Sequence, residues 1–127
     1  MWLQDLLKCI RILDKGKFMK LNILDIGGNT VKDDERYIVK DNSKLNNLVV
    51  SSTDLKPGKS TSGHAHPGQE EVYHFVKGSG KMKVDDDLFS VKEGDLILIE
   101  DGQFHQVINN STSNLYFVCV FDGSRSH

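Results

Sequence analysis

The chain has 127 residues, 38% of them hydrophobic and 27% charged, with a formal net charge of −2. That length suits one domain with a single core that needs no covalent staples. The near-neutral balance and scattered lysines leave no basic footprint for nucleic acid or an acidic membrane surface, and no apolar run approaches the roughly 20 residues of a membrane-spanning helix.

In chain order, Leu3, Leu6, Leu7, Ile10 and Leu13 recur at helical spacing and Gly16 follows as a stop. Residues 1–18 therefore read as an amphipathic N-terminal helix or extension, ahead of one domain over residues 19–127. Asp5, Lys8 and Arg11 interrupt the apolar residues, which argues against a signal peptide. Met19 is an alternative start, because LNILDI, Leu21 to Ile26, reads as a natural first strand. The polar tract from Asn29 to Tyr37 reads as a loop. Cys9 and Cys119 are too few for a disulfide framework and are not spaced for zinc. Both are expected as thiols in a reducing compartment, the cytoplasm.

The rest reads as strands cut by turns. Arg36 to Lys40 and Asn47 to Leu55 come first, the second closed by Lys56-Pro57-Gly58. Glu70 to Lys77 follows and ends at a flexible Gly78-Ser79-Gly80. Lys81 to Val84 and Leu88 to Val91 flank a turn at Asp85-Asp86-Asp87. Asp95 to Ile99, Phe104 to Ile108 and Leu115 to Phe121 complete the set. Short strands at such regular intervals predict an all-β sandwich or small barrel.

Asp95 to Ile99 and Leu115 to Phe121 are apolar at nearly every position, so both faces of each are expected to be covered. The core covers the inner face. The N-terminal helix, the flank of a second sheet or another subunit covers the outer one, and a homodimer is the expectation for so apolar a face.

The chemistry concentrates in GHAHPGQEEVYHF, Gly63 to Phe75. Residues i and i+2 of a strand point to one side, so His64 and His66 would present parallel imidazoles. Glu71 shares its face with Tyr73 and Phe75, where a carboxylate must be paired, protonated or bound to a cation. His105, far along the chain, shares an apolar face with Val107. Three imidazoles and a carboxylate can together satisfy a divalent ion and leave positions open for water or substrate. Taken singly, each histidine reads equally well as a hydrogen-bonded core residue, and Glu70-Glu71 as a solvated strand edge.

Two motifs with these residues resemble the cupin family. The first runs through Gly58, His64, His66, Glu71 and Gly78, the second through Gly94, Gly102, His105 and Asn109, with Glu100 where the family has proline. The resemblance implies a double-stranded β-helix, or jelly-roll barrel, with His64, His66, Glu71 and His105 as ligands of one divalent metal (iron, manganese, nickel, cobalt or zinc). Glu70 is the rival carboxylate, and the alternation with Tyr73 and Phe75 favours Glu71.

The run Thr61-Ser62-Gly63-His64-Ala65-His66, with Glu71-Val72-Tyr73, Gly78-Ser79-Gly80 and Met82, is also similar to the cupin-type phosphoglucose isomerases of archaea. That likeness implies a metalloenzyme on a small polar metabolite such as a sugar or sugar phosphate, an isomerase or epimerase. Thr61 and Tyr73 would touch substrate, and Glu71 or Tyr73 would move the proton. A turn hydroxyl at Thr61 and core packing at Tyr73 are the plainer readings. A metal-dependent dioxygenase and a binding protein without turnover are the alternatives, because the fold alone does not choose among activities.

Overall fold

The structure, a computed structural model, describes residues 19–123. They form β1 (Asn29–Asp33), β2 (Tyr37–Asn42), β3 (Leu48–Leu55), β4 (Glu71–Lys77), β5 (Ser79–Val84), β6 (Asp87–Lys92), β7 (Leu96–Ile99), β8 (His105–Ile108) and β9 (Leu115–Asp122). A six-stranded sheet runs β1-β2-β3-β9-β4-β7 and a three-stranded sheet runs β6-β5-β8, antiparallel throughout. Isolated bridges from Ser60 to Ile108 and from His64 to His105 lay the β3–β4 connection along the free edge of β8. The result is a double-stranded β-helix.

Period-two alternation explains why these segments pack this way. On β3, Val49, Ser51, Thr53 and Leu55 face inward; across from them stand Phe121, Cys119, Phe117 and Leu115 of β9. On β4 the inward set is Glu71, Tyr73 and Phe75, with Met82, Val91 and Val107 arriving from the smaller sheet. Phe75 and Phe117, both almost fully buried, have ring centroids 5.3 Å apart at the centre of this core. Each such side chain contributes roughly 1.5–3 kcal/mol on burial.

Gly78 makes the corner where the chain leaves the large sheet for the small one. Its φ is +87°, and a Cβ there would lie 2.5 Å from the carbonyl oxygen of Asn114. The expected flexible glycine segment is therefore a tight corner, and Ser79 and Gly80 already belong to β5.

Two other expectations change, and one narrows. Leu21 to Ile26 is no strand: it holds a single bridge between Asn22 and Asp25, and the Asn22 side chain accepts from the Leu24 N–H, closing a turn that competes with extension. Asn29 to Tyr37 is no mere loop, since it contains β1. All five β1 residues are exposed on a sheet edge, where alternation leaves no apolar signal. Of the three covers expected for the outer face of β7, the flank of the second sheet drops out, since Leu96 and Leu98 are 62% and 72% exposed. β9, central in its sheet, is covered on both faces along most of its length. The expected N-terminal helix over 1–18, and Cys9 within it, lie outside the described residues; Cys119 is buried in β9. Among the described residues no helix is long and apolar enough to cross a membrane.

Candidate metal centre

Four ligand-bearing residues converge from three places. Glu71 opens β4 of the large sheet and His105 opens β8 of the small one. His64 and His66 ride on the connection between β3 and β4. This connection is not a regular strand; the bridge pattern pins it, with His105 N–H donating to the His64 carbonyl at 2.9 Å and His64 N–H returning to His105 at 3.2 Å. One ligand atom from each of His64, His66, Glu71 and His105 lies within 4.8 Å of the others. The ring centroids of His64 stand 4.5 Å from His66 and 4.6 Å from His105. Such a cluster is able to hold one metal ion.

The donor chemistry fits a cation. His105 Nδ1 lies 3.0 Å from the carbonyl oxygen of Gln103, which only accepts, so Nδ1 carries the proton. In the neutral ring Nε2 is then an acceptor, and it faces another acceptor, Glu71 Oε1, at 3.2 Å with both side chains at most 4% exposed. Two lone pairs so placed repel each other in a low dielectric unless a proton or a metal ion lies between them. The Gln103 contact also fixes the ring's tautomer and aim, as supporting groups do for ligating histidines.

Around the cluster, Thr61 secures the connection: its N–H donates to the Val107 carbonyl at 2.9 Å, and its hydroxyl accepts from the Val107 N–H at 3.0 Å. Arg36 donates to Ser62 Oγ at 3.1 Å and pairs with Asp34 at 3.0 Å. The hydrogen bond from that guanidinium holds the Asp34 carboxyl below the usual carboxylate range, and the carboxylate raises Arg36 in turn.

Beside His64 and Glu71 opens a cavity of about 70 Å³, its wall shared by Lys32, Tyr37, Ser51, Thr53, Thr61 and Tyr73. Tyr73 both lines it and packs in the core, with ring centroids 5.5 Å from Phe117 and 5.7 Å from His105. Glu70 is exposed, away from the cluster's buried carboxylate. Sequence reasoning missed Lys32, Tyr37, Ser51 and Thr53 as cavity wall. A usable signal existed for two of them: Ser51 and Thr53 are polar residues at i and i+2 on the inward, otherwise apolar face of β3. For Lys32 there was none, since β1 itself carries no pattern.

A double-stranded β-helix with three histidines and a glutamate gathered inside it defines a cupin-type fold with a site able to hold metal. The chain belongs to the Cupin_2 family, whose cupin-domain model matches residues 51–121. Among proteins of known sequence it is similar to the uncharacterized protein MJ1618 of Methanocaldococcus jannaschii, 29% identical over 102 residues, covering 72% of this chain and 82% of that one. It is also similar to the oxalate-binding protein of Thermotoga maritima, 30% identical over 66 residues, covering 52% of this chain and 54% of the other. Among solved structures, a predicted oxalate decarboxylase from Thermotoga maritima superposes with a TM-score of 0.66 at 21% identity, over 82% of this chain and 98% of that one. That likeness shows the shared fold.

Proposed function

We propose that His64, His66, Glu71 and His105 hold one divalent transition-metal ion, iron, manganese, nickel, cobalt or zinc, and that the protein binds a small polar metabolite at the ion's open positions. The observation that carries this reading is the pair of buried acceptors, His105 Nε2 and Glu71 Oε1, facing each other at 3.2 Å. Bound there, the ion would act as a Lewis acid toward a carbonyl or carboxylate oxygen.

The cavity of about 70 Å³ takes a ligand of few heavy atoms. A small oxygen-donor acid or ketone suits such a space, and the hydroxyls of Tyr37, Ser51, Thr53 and Thr61 in its wall offer partners to a sugar reaching in from outside. The relative named as an oxalate-binding protein supports the same size class. Isomerisation would need a base, for which Tyr73 in the cavity wall is the candidate and Glu71 the second; oxygen chemistry would need a redox-active ion such as iron, which excludes zinc. Metal-free protein reconstituted with each of the five ions, then assayed for ligand-induced melting shifts, proton exchange of small keto acids and oxygen uptake, separates binder, isomerase and dioxygenase.

We propose also that two copies pair through the outer face of the large sheet. Val50, Val120, Val72 and Leu98 stand directly opposite one another across β3, β9, β4 and β7. Leu98, Leu96 and Val72 are exposed among the described residues. An apolar row across four strands is the kind of surface an obligate interface covers. Two cysteines without metal or disulfide spacing support a cytoplasmic location.

A further inference from the structure

β1 is an edge strand, and an irregularity in it brings Lys32 as well as Val31 to the cavity wall. Thr30 pairs with Lys40 and Lys32 with Val39, leaving Val31 as an extra residue between them. Val39 is buried on the inward face, so Lys32, opposite it, stands on the cavity side. Without the bulge, Val31 would stand opposite Val39 and Lys32 would turn outward opposite Ile38.

Lys32 Nζ donates to the Tyr37 hydroxyl at 3.4 Å and lies 5.7 Å from that ring's centroid. Arg36, the other cation beside Tyr37, is 4.7 Å from the ring and already matched by Asp34. Among the described residues Lys32 makes no ion pair. An ammonium with no carboxylate partner thus shares one small cavity with Glu71 and His64.

We propose that Lys32, with the Tyr37 hydroxyl, binds a carboxylate at the end of the ligand remote from the metal, so that the site selects small dicarboxylates. This rests on the metal reading above. Lys32 and Tyr37 are specificity-determining residues, and the bulge at Val31 is what aims the lysine.

The test titrates manganese(II)-loaded protein with oxalate, malonate and succinate, and with acetate, propionate and butyrate as single-carboxylate partners of matching chain length, while manganese content is measured separately. At least one dicarboxylate is expected to bind about tenfold or more tightly than its partner, the scale of one charge-assisted hydrogen bond. Lys32→Gln is expected to bring that ratio close to one with manganese content retained, and Lys32→Arg to restore part of it. A ratio that survives in Lys32→Gln, or no preference in the native protein despite bound manganese, overturns the proposal and leaves the metal site standing. Inorganic phosphate binding more tightly than every dicarboxylate overturns the carboxylate assignment. Failure of the native protein to take up manganese or any of the other four ions refutes both readings together.

Discussion

His105 Nε2 and Glu71 Oε1 meet at 3.2 Å across the gap between the two sheets. The pair sets β8 of the small sheet against β4 of the large one at the site proposed for the ion. Glu71→Gln keeps the size of the side chain and removes its charge. Metal affinity is expected to fall by more than the roughly 10–100-fold that losing a mere supporting group costs. Titration of metal-free variant and native protein with zinc against a competing chelator measures it.

Because ligands of this kind bind the folded state, metal should stabilise the protein by mass action. An ion at 100 times its dissociation constant adds about 2.7 kcal/mol. Differential scanning calorimetry should show a higher Tm with metal and a reversal on adding a chelator. Equal Tm values with and without metal would contradict the site.

Acid should undo the same effect. Imidazole nitrogen must be unprotonated to ligate, so protons displace the ion as pH falls through about 6. The metal-dependent part of the stability is then present at neutral pH and lost below that window. The Asp34–Arg36 pair adds a second, smaller loss at lower pH. Its carboxyl is held below the ordinary value by the Arg36 hydrogen bond, so its contribution is present above the unfolded value and vanishes as pH falls through the folded one. Melting curves between pH 8 and 3, with and without chelator, should merge once the metal has left.

How much of this was written in the sequence varies by element. β4 was legible because Glu71, Tyr73 and Phe75 alternate cleanly with Val72, His74 and Val76, and the same alternation preferred Glu71 over Glu70. The convergence of His105 with the His64–His66 pair was legible only through two separated spacing patterns, since nothing local links positions so far apart. β1 was illegible: its residues are all exposed on an edge, so no hydrophobic period marks it. The bulge that aims Lys32 depends on register with β2, which a single strand's sequence does not encode. β7 was legible as a strand but not in what covers it: a run apolar at every position does not say which element lies outside, and Leu96 and Leu98 are exposed within the single chain.

Asn109 and Gly78, both within the spacing patterns, hold the scaffold and touch no ligand atom. The buried Asn109 amide donates to the carbonyls of Leu55 and Ser113 and accepts from Ser111 N–H and Oγ. Asn109→Ala should cost about 1–3 kcal/mol for each buried group left unsatisfied. Gly78→Ala forces a side chain into a left-handed corner against Asn114 and should destabilise by at least about 1–3 kcal/mol. Urea unfolding of the metal-free forms reads both; in each, metal binding to the remaining folded protein should persist.

On the outer face, Leu98→Lys puts a charge at the end of the Val50–Val120–Val72 row without touching the core. Analytical ultracentrifugation is expected to find a dimer for the native protein and a monomer for the variant. A native monomer would contradict the pairing.

The most direct measurement is metal content by mass spectrometry of purified native protein beside the His64→Ala/His105→Ala double variant, both shown to be folded by circular dichroism. The account predicts close to one equivalent of a transition metal in the native protein and almost none in the variant. Equal metal content in the two would contradict it.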